Sequence, residues 1–204
     1  VFSKKLSKKL KFIEENRFQG EHFYIYGAEH VGNVCLKNES YAHPDFTNKN
    51  SRLRMIFMYW NLVEYFFPDK YQMDQKWDTT LEKTIPLVIQ SENQDDFYLA
   101  MRKLVSRIDD SHTEFFIYPS STTPKIKRHF PADAKIIDEK LVVTEILGDS
   151  LAQADDIKIG DVITKINDKT IRQIILENRD LICASNEAKY LDKLVKKILL
   201  SNLD

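Results

Sequence analysis

Asp110-Ser111-His112 is the tripeptide of this chain best equipped for chemistry. Near neutral pH a histidine can take a proton from a serine hydroxyl and return it to a leaving amine. It needs a further group to fix its tautomer and orientation. The tripeptide follows a strongly periodic helical segment and precedes a strand-like run, Thr113-Glu114-Phe115-Phe116-Ile117-Tyr118. Adjacent side chains on an extended backbone point to opposite faces. Ser111 is therefore badly placed as the nucleophile for His112 and better suited to a supporting hydroxyl in a relay. The plainer alternative is that Asp110 and Ser111 stop the helix and leave His112 on the surface.

The other candidates are weaker. His22, His30 and His43 with Cys35 can be drawn as a zinc set, but their spacing fits no standard pattern. Ordinary surface or strand positions are expected for them. His129 beside Lys127 and Arg128 is expected in a solvated basic linker. Trp60 and Trp77 fall at helical spacing and are expected in a core. The chain has 5 glycines, and none lies in a GxSxG, GxGxxG or P-loop pattern. Sites that bring backbone amides close to a phosphate or oxyanion usually lean on glycine. A complete hydrolase, kinase or dinucleotide site is not expected in these 204 residues.

Composition is that of a soluble globular chain: 43% hydrophobic, 30% charged, net charge −1. That charge gives no case for nucleic acid. The lysine-rich start, residues 3–11, suits either an anionic surface or a solvated helix face. Cys35 and Cys183 allow one bridge or two free thiols. No apolar run is long enough to span a bilayer. No signal peptide is visible, and a start at Val1 suits an excised mature segment.

The elements that must position the tripeptide follow from periodicity. Residues 4–16 suit a helix with Leu6, Leu10 and Ile13 on one face. Residues 22–26 and 33–36 suit short strands, and His43-Pro44-Asp45 a turn. Ser51 to Phe67 is expected as a helix capped by Ser51, stopped at Pro68 and apolar nearly all round. A second helix after Asp74 carries Trp77, Leu81, Ile85 and Val88 and is expected to kink or end at Pro86. A third starts near Asn93, with Asp95 and Asp96 at its positive end. Ser120-Ser121-Thr122-Thr123-Pro124 reads as a linker. Beyond it the period alternates: 134–137, 141–147 and 161–166 as strands, then helices over 171–183 and 187–200.

The run Lys158-Ile159-Gly160-Asp161-Val162-Ile163-Thr164-Lys165-Ile166-Asn167-Asp168, preceded by residues 141–146 and Ser150-Leu151-Ala152, resembles the PDZ domain of bacterial proteases. It departs at Asp155-Asp156-Ile157, where an Ala-Gly-Leu-like step is usual, and shows no Gly-x-Gly-Phe-like carboxylate loop. The resemblance implies either peptide capture by strand addition or a spacer of PDZ topology.

The order of pieces is similar to the tricorn-core and C-terminal processing (tail-specific) serine peptidases. Its carriers are Arg52-Leu53, Tyr59-Trp60-Asn61, Glu64-Tyr65-Phe66-Phe67-Pro68, Trp77, Leu81, Ile85-Pro86, Leu104, Ile108 to Thr113, and the Gly160-Asp161 strand. That resemblance implies a Ser/His/Ser/Glu tetrad, with His112 as general base and Ser111 bridging it to a glutamate. The nucleophile, oxyanion hole and glutamate are then expected in a domain beyond residue 204. In the processing branch, which uses serine and lysine, His112 has no such role.

The resulting expectation is an α+β chain. A β-rich segment spans 1–50, a helical bundle 51–119, a linker 120–130 and a PDZ-like β-barrel or sandwich with helices 131–204, lacking its last strand. The resemblance implies a polypeptide substrate, no metal or organic cofactor, and a bacterial extracytoplasmic setting. A serine peptidase fragment, inactive alone, is one reading. A non-catalytic peptide-binding or scaffold protein is the other.

Overall fold

A computed structural model describes residues 3–28, 30, 34–37, 45–115, 127–147 and 156–202. The Ser120–Pro124 linker, Phe116 to Tyr118, His43 and Ser150-Leu151-Ala152 lie outside them. Val1–His43 and Pro44–Asp204 form two compact units.

In the first unit, helix α1 (Lys4–Asn16) falls where the leucine spacing placed it. Ser3 caps it, its hydroxyl accepting from Leu6 N at 3.2 Å. No residue of α1 is buried. Strands β1 (Ile25–Gly27) and β2 (Val34–Leu36) pair antiparallel, with Tyr26 opposite Cys35.

The second unit opens with α2 (Lys49–Phe66), which starts earlier than the expected Ser51 cap. The capping group is Asn48, whose Oδ1 accepts from Asn50 N at 2.8 Å and Ser51 N at 3.4 Å. The helix ends before Pro68, which disfavours helical backbone at Phe67. Its apolar surface is not buried all round within this unit. Only Arg52, Ile56 and Val63 are buried, while Tyr65 is 73% exposed and Phe57 and Phe66 are also open. Composition alone hid a one-sided helix, because its outer face is apolar too.

Helix α3 (Trp77–Gln90) continues past Pro86 rather than ending there. Proline forfeits one helical hydrogen bond. Thr84 and Val88, buried on either side of it, hold the last turn in the core. Helix α4 (Gln94–Ser106) is capped by Asn93 Oδ1, which accepts from Asp96 N at 2.9 Å. The three helices enclose Ile56, Val63, Val88, Phe97, Met101 and Leu104. Trp60 and Trp77 exchange hydrogen bonds, each indole N–H donating to the other's carbonyl at 3.3 and 3.0 Å.

Arg52 fastens this bundle. It is buried, and its guanidinium donates to four carbonyls: Phe46 (2.8 Å), Thr47 (3.1 Å), Val88 (3.4 Å) and Ser91 (2.9 Å). Two of those oxygens lie at the end of α3, where helical carbonyls otherwise lack partners.

A strand, β3 (Lys127–His129), stands where a linker was expected. Its partner is β9 (Leu200–Asn202), a strand that follows the last helix. The pairing joins residues more than seventy positions apart, which local patterning cannot register. Between them, β4 (Ala132–Ile137) and β5 (Lys140–Ile146) form a hairpin with Asp138 and Glu139 both at positive φ, 47° and 57°. The expected strand 161–166 divides at Thr164. Its first half, β6 (Val162–Ile163), pairs with β5, and its second, β7 (Lys165–Ile166), with β8 (Lys169–Thr170). The sheet order is β4-β5-β6, and no closed barrel forms among the described residues.

Gly160 explains the motif that precedes β6. Its φ is +93°, a conformation that side chains resist. The turn lets Gly160 N donate to Val143 O and Val143 N donate to Asp161 O, both at 2.9 Å. Asp161 Oδ2 closes it by accepting from Lys158 N at 2.8 Å.

Helix α5 (Ile171–Asn178) starts with a capping box between Thr170 and Gln173. It stops short of the expected Cys183, passing into a 3-10 turn (Arg179–Leu181) and then extended chain. Helix α6 (Glu187–Leu199) packs against β4. Ala134, Leu141, Ile171, Ile175, Tyr190 and Leu194 make the second core.

Candidate functional site

The expected strand after His112 is absent from residues 113–115, and the tripeptide sits in a turn instead. Helix α4 unwinds through Arg107 and Ile108, whose amides donate to Leu104 and Val105 carbonyls at 3.2 Å. Asp109 then adopts φ +56°, and its Oδ2 accepts from Asp74 N at 2.9 Å. Burial pushes the Asp109 carboxyl up, against that hydrogen bond.

Asp110 builds the turn. Its Oδ1 accepts from His112 N at 3.0 Å, its Oδ2 from Thr113 Oγ1 at 3.3 Å, and its carbonyl from Thr113 N at 3.1 Å. The same Oδ1 lies 3.0 Å from His112 Nδ1. Partial burial pushes the Asp110 carboxyl up, but the bonds from the His112 amide and ring and from Thr113 outweigh it. The carboxyl is held below the usual carboxylate range. An ionised Asp110 selects the tautomer with the proton on Nδ1, which leaves Nε2 with its lone pair outward. The His112 side chain is 95% exposed, so that lone pair is open to a partner.

Ser111 is not bonded to His112. Its Oγ lies 2.7 Å from Ser185 Oγ and accepts from Ser185 N at 2.9 Å. The structure thus brings His112 together with Asp110, and Ser111 with Ser185. Sequence reading passed over Asp110 as an orienting group. Its signal was available: an aspartate two residues before a turn amide is a standard side-chain cap. Ser185 carried no local signal.

The turn is joined to the chain after α5 by further bonds. Cys183 Sγ donates to Asp110 O at 3.1 Å. Burial raises the thiol, against that bond, which keeps it protonated and a donor at neutral pH. Lys193, on α6, donates to Cys183 O at 3.0 Å and Thr113 O at 3.5 Å. Ser106 Oγ donates to Asp180 O at 2.8 Å, and Arg107 pairs with the Asp180 carboxylate at 2.6 Å. Cys35 and Cys183 are both free thiols.

A cavity of about 340 Å³ lies beside this seam, lined by Asp74, Arg107, Asp109, Arg179, Ser185 and Tyr190 among others. Its cations are partnered. Arg107 is held by Asp180, and Arg179 by Glu187 at 2.9 Å with its guanidinium 3.9 Å above the Tyr190 ring. Burial pushes the Tyr190 hydroxyl up to about 12, and it donates to Ile175 O at 2.6 Å.

Among the described residues no group of three or more His, Cys, Asp and Glu side chains is placed to hold a metal. His22 and His30 lie in the first unit, His22 edge-on to Phe18 with ring centroids 5.0 Å apart. His129 lies in β3.

The second core also presents an open strand edge. β4 has one ladder partner, β5, and no strand on its other edge among the described residues. With α6 packed against it, β4 offers unpaired backbone groups beside a helix.

The PDZ domain family matches residues 124–185. The core continues past that span into α6 through Tyr190, Leu194 and Val195. Among curated proteins none matches the chain. PDZ domains bind peptides. No helix among the described residues is long and apolar enough to cross a membrane.

Proposed function

We propose that this protein captures polypeptides by adding an extended peptide strand to the open edge of β4, beside α6. The free edge of β4 within a PDZ domain carries this reading. Main-chain hydrogen bonds supply affinity, and side chains facing α6 supply selectivity. Titrating the 204-residue chain with a library of peptides bearing free C-termini tests it. The expected result is saturable binding with amide shifts confined to β4 and α6. No saturable binding by any member removes it.

A second reading rests on the Asp110–His112 pair and on the peptidase resemblance. His112 is the general base of a serine peptidase, with Asp110 fixing its tautomer. Nε2 takes the proton of a nucleophilic serine outside these 204 residues and passes it to the leaving amine. The PDZ domain then steers substrate toward that centre, outside the bacterial cytoplasm. In a polypeptide holding both the nucleophile and these residues, His112→Ala abolishes cleavage and serine-probe labelling while the fold persists. Undiminished turnover removes His112 as the base. The 204-residue chain alone cleaves nothing, and cleavage by it when pure contradicts this reading.

A further inference from the structure

We infer that Ser185 is a positioning residue for the Asp110-Ser111-His112 turn, which makes the PDZ domain part of the framework that aims His112. The inference deepens the peptidase reading and rests on it for its functional meaning. The geometry rests on neither. Residues 111 and 185 are joined twice, through the Ser185 amide at 2.9 Å and the paired hydroxyls at 2.7 Å. Two neighbouring contacts carry the same strap, from Cys183 Sγ to Asp110 O and from Lys193 to Thr113 O. Every residue from 110 to 113 is thus held by its own turn, by the 183–185 segment or by α6.

The count of hydrogen-bonding positions sharpens the role. A serine hydroxyl has one proton to donate and two lone pairs. The Ser185 amide fills one lone pair of Ser111, and the Ser185 hydroxyl takes a second position whichever oxygen donates. When Ser185 donates, Ser111 is left with its own proton and no other function. It then serves as a donor aimed at an acceptor, such as a carboxylate, rather than as a proton acceptor from His112. Cys183 is buried in the bundle core, so the strap is anchored at one end by apolar packing and at the other by Ser185.

Solvent exchange of the His112 and Thr113 amides in the 204-residue chain tests this, with the α3 amides as an internal reference. Ser185→Ala keeps its amide and loses its hydroxyl. It is expected to speed exchange at both positions by roughly fivefold, the scale of one hydrogen bond. Ser185→Thr restores the hydroxyl and is expected to restore protection and the native His112 ring signals. Ser111→Ala loses both bonds and is expected to exceed Ser185→Ala, and the double variant to match Ser111→Ala. Unchanged exchange in Ser185→Ala overturns the inference. So does a threonine variant that fails to rescue, or loosening that spreads to α3. A polypeptide that also holds the nucleophile keeps the two apart: turnover undiminished by His112→Ala indicts the peptidase reading, and a turn that does not loosen in Ser185→Ala indicts Ser185.

Discussion

At the residue scale, Asp110 is the group that meets the His112 ring, while Ser111 meets Ser185. A carboxylate that accepts three hydrogen bonds from a turn stabilises the charged form and is stabilised by it. Its folded pKa is lowered. The stabilisation is therefore fully present above the ordinary carboxylate pKa of about 3.9 and lost as pH falls through the lower folded value. Following the His112 amide shift against pH should show that loss only in the acid range, below about pH 4. Asp110→Asn should abolish the acid step. An identical step in the variant would assign it to another group. Arg52 is the second residue whose role is local and heavy. Arg52→Met leaves four carbonyls short of a donor, two of them at the end of α3. Urea denaturation should show a loss of about 2–4 kcal/mol. Arg52→Lys should recover little, because an ammonium cannot span that set.

At the scale of elements, helix starts were legible where the cap residue stood alone. Residues 4–16 were legible from the leucine spacing, and the start near Asn93 from Asp95 and Asp96 in the first turn. The start of α2 was missed because Asn48 and Ser51 are both good caps, and tertiary contacts from Arg52 to Phe46 and Thr47 favour the earlier one. Asn48→Ala should cost about 1 kcal/mol in thermal or urea unfolding. An effect within error would return the cap to Ser51. The hairpin was legible because polar Asp138-Glu139-Lys140 breaks two apolar runs, and the Gly160 turn because glycine tolerates positive φ. Gly160→Ala has open space for its methyl but the wrong backbone. It should destabilise the chain by about 1–2 kcal/mol. A neutral result would show that this turn has another conformation in solution. The β3–β9 pair and the division at Thr164 were not legible, because partners distant in sequence decide them.

At the scale of the whole second unit, the informative relation is between the bundle and the PDZ domain. Both were readable from period and motif, in the right order. Their seam was not. Ser106, Arg107, Asp110, Ser111 and Thr113 meet Asp180, Cys183, Ser185 and Lys193, and none of those four belongs to a motif. Cys183 even sits in the bundle core although it follows α5. The seam predicts that the bundle and PDZ domain unfold together. Cys183→Asp places a charge among buried apolar groups and removes the bond to Asp110. It should lower the unfolding midpoints of both cores in parallel, read from the fluorescence of Trp60 and Trp77 in the bundle and from β4 amide exchange. A fall in one alone would mean the two cores are independent.

Peptide capture is proposed at the open edge of β4. The most direct check is amide NMR of the 204-residue chain during titration with peptides bearing free C-termini. Saturating shifts along residues 132–137 and in 187–199, with the N-terminal helix unmoved, are the predicted result. A peptide that binds with shifts elsewhere, or a library in which nothing saturates, contradicts it.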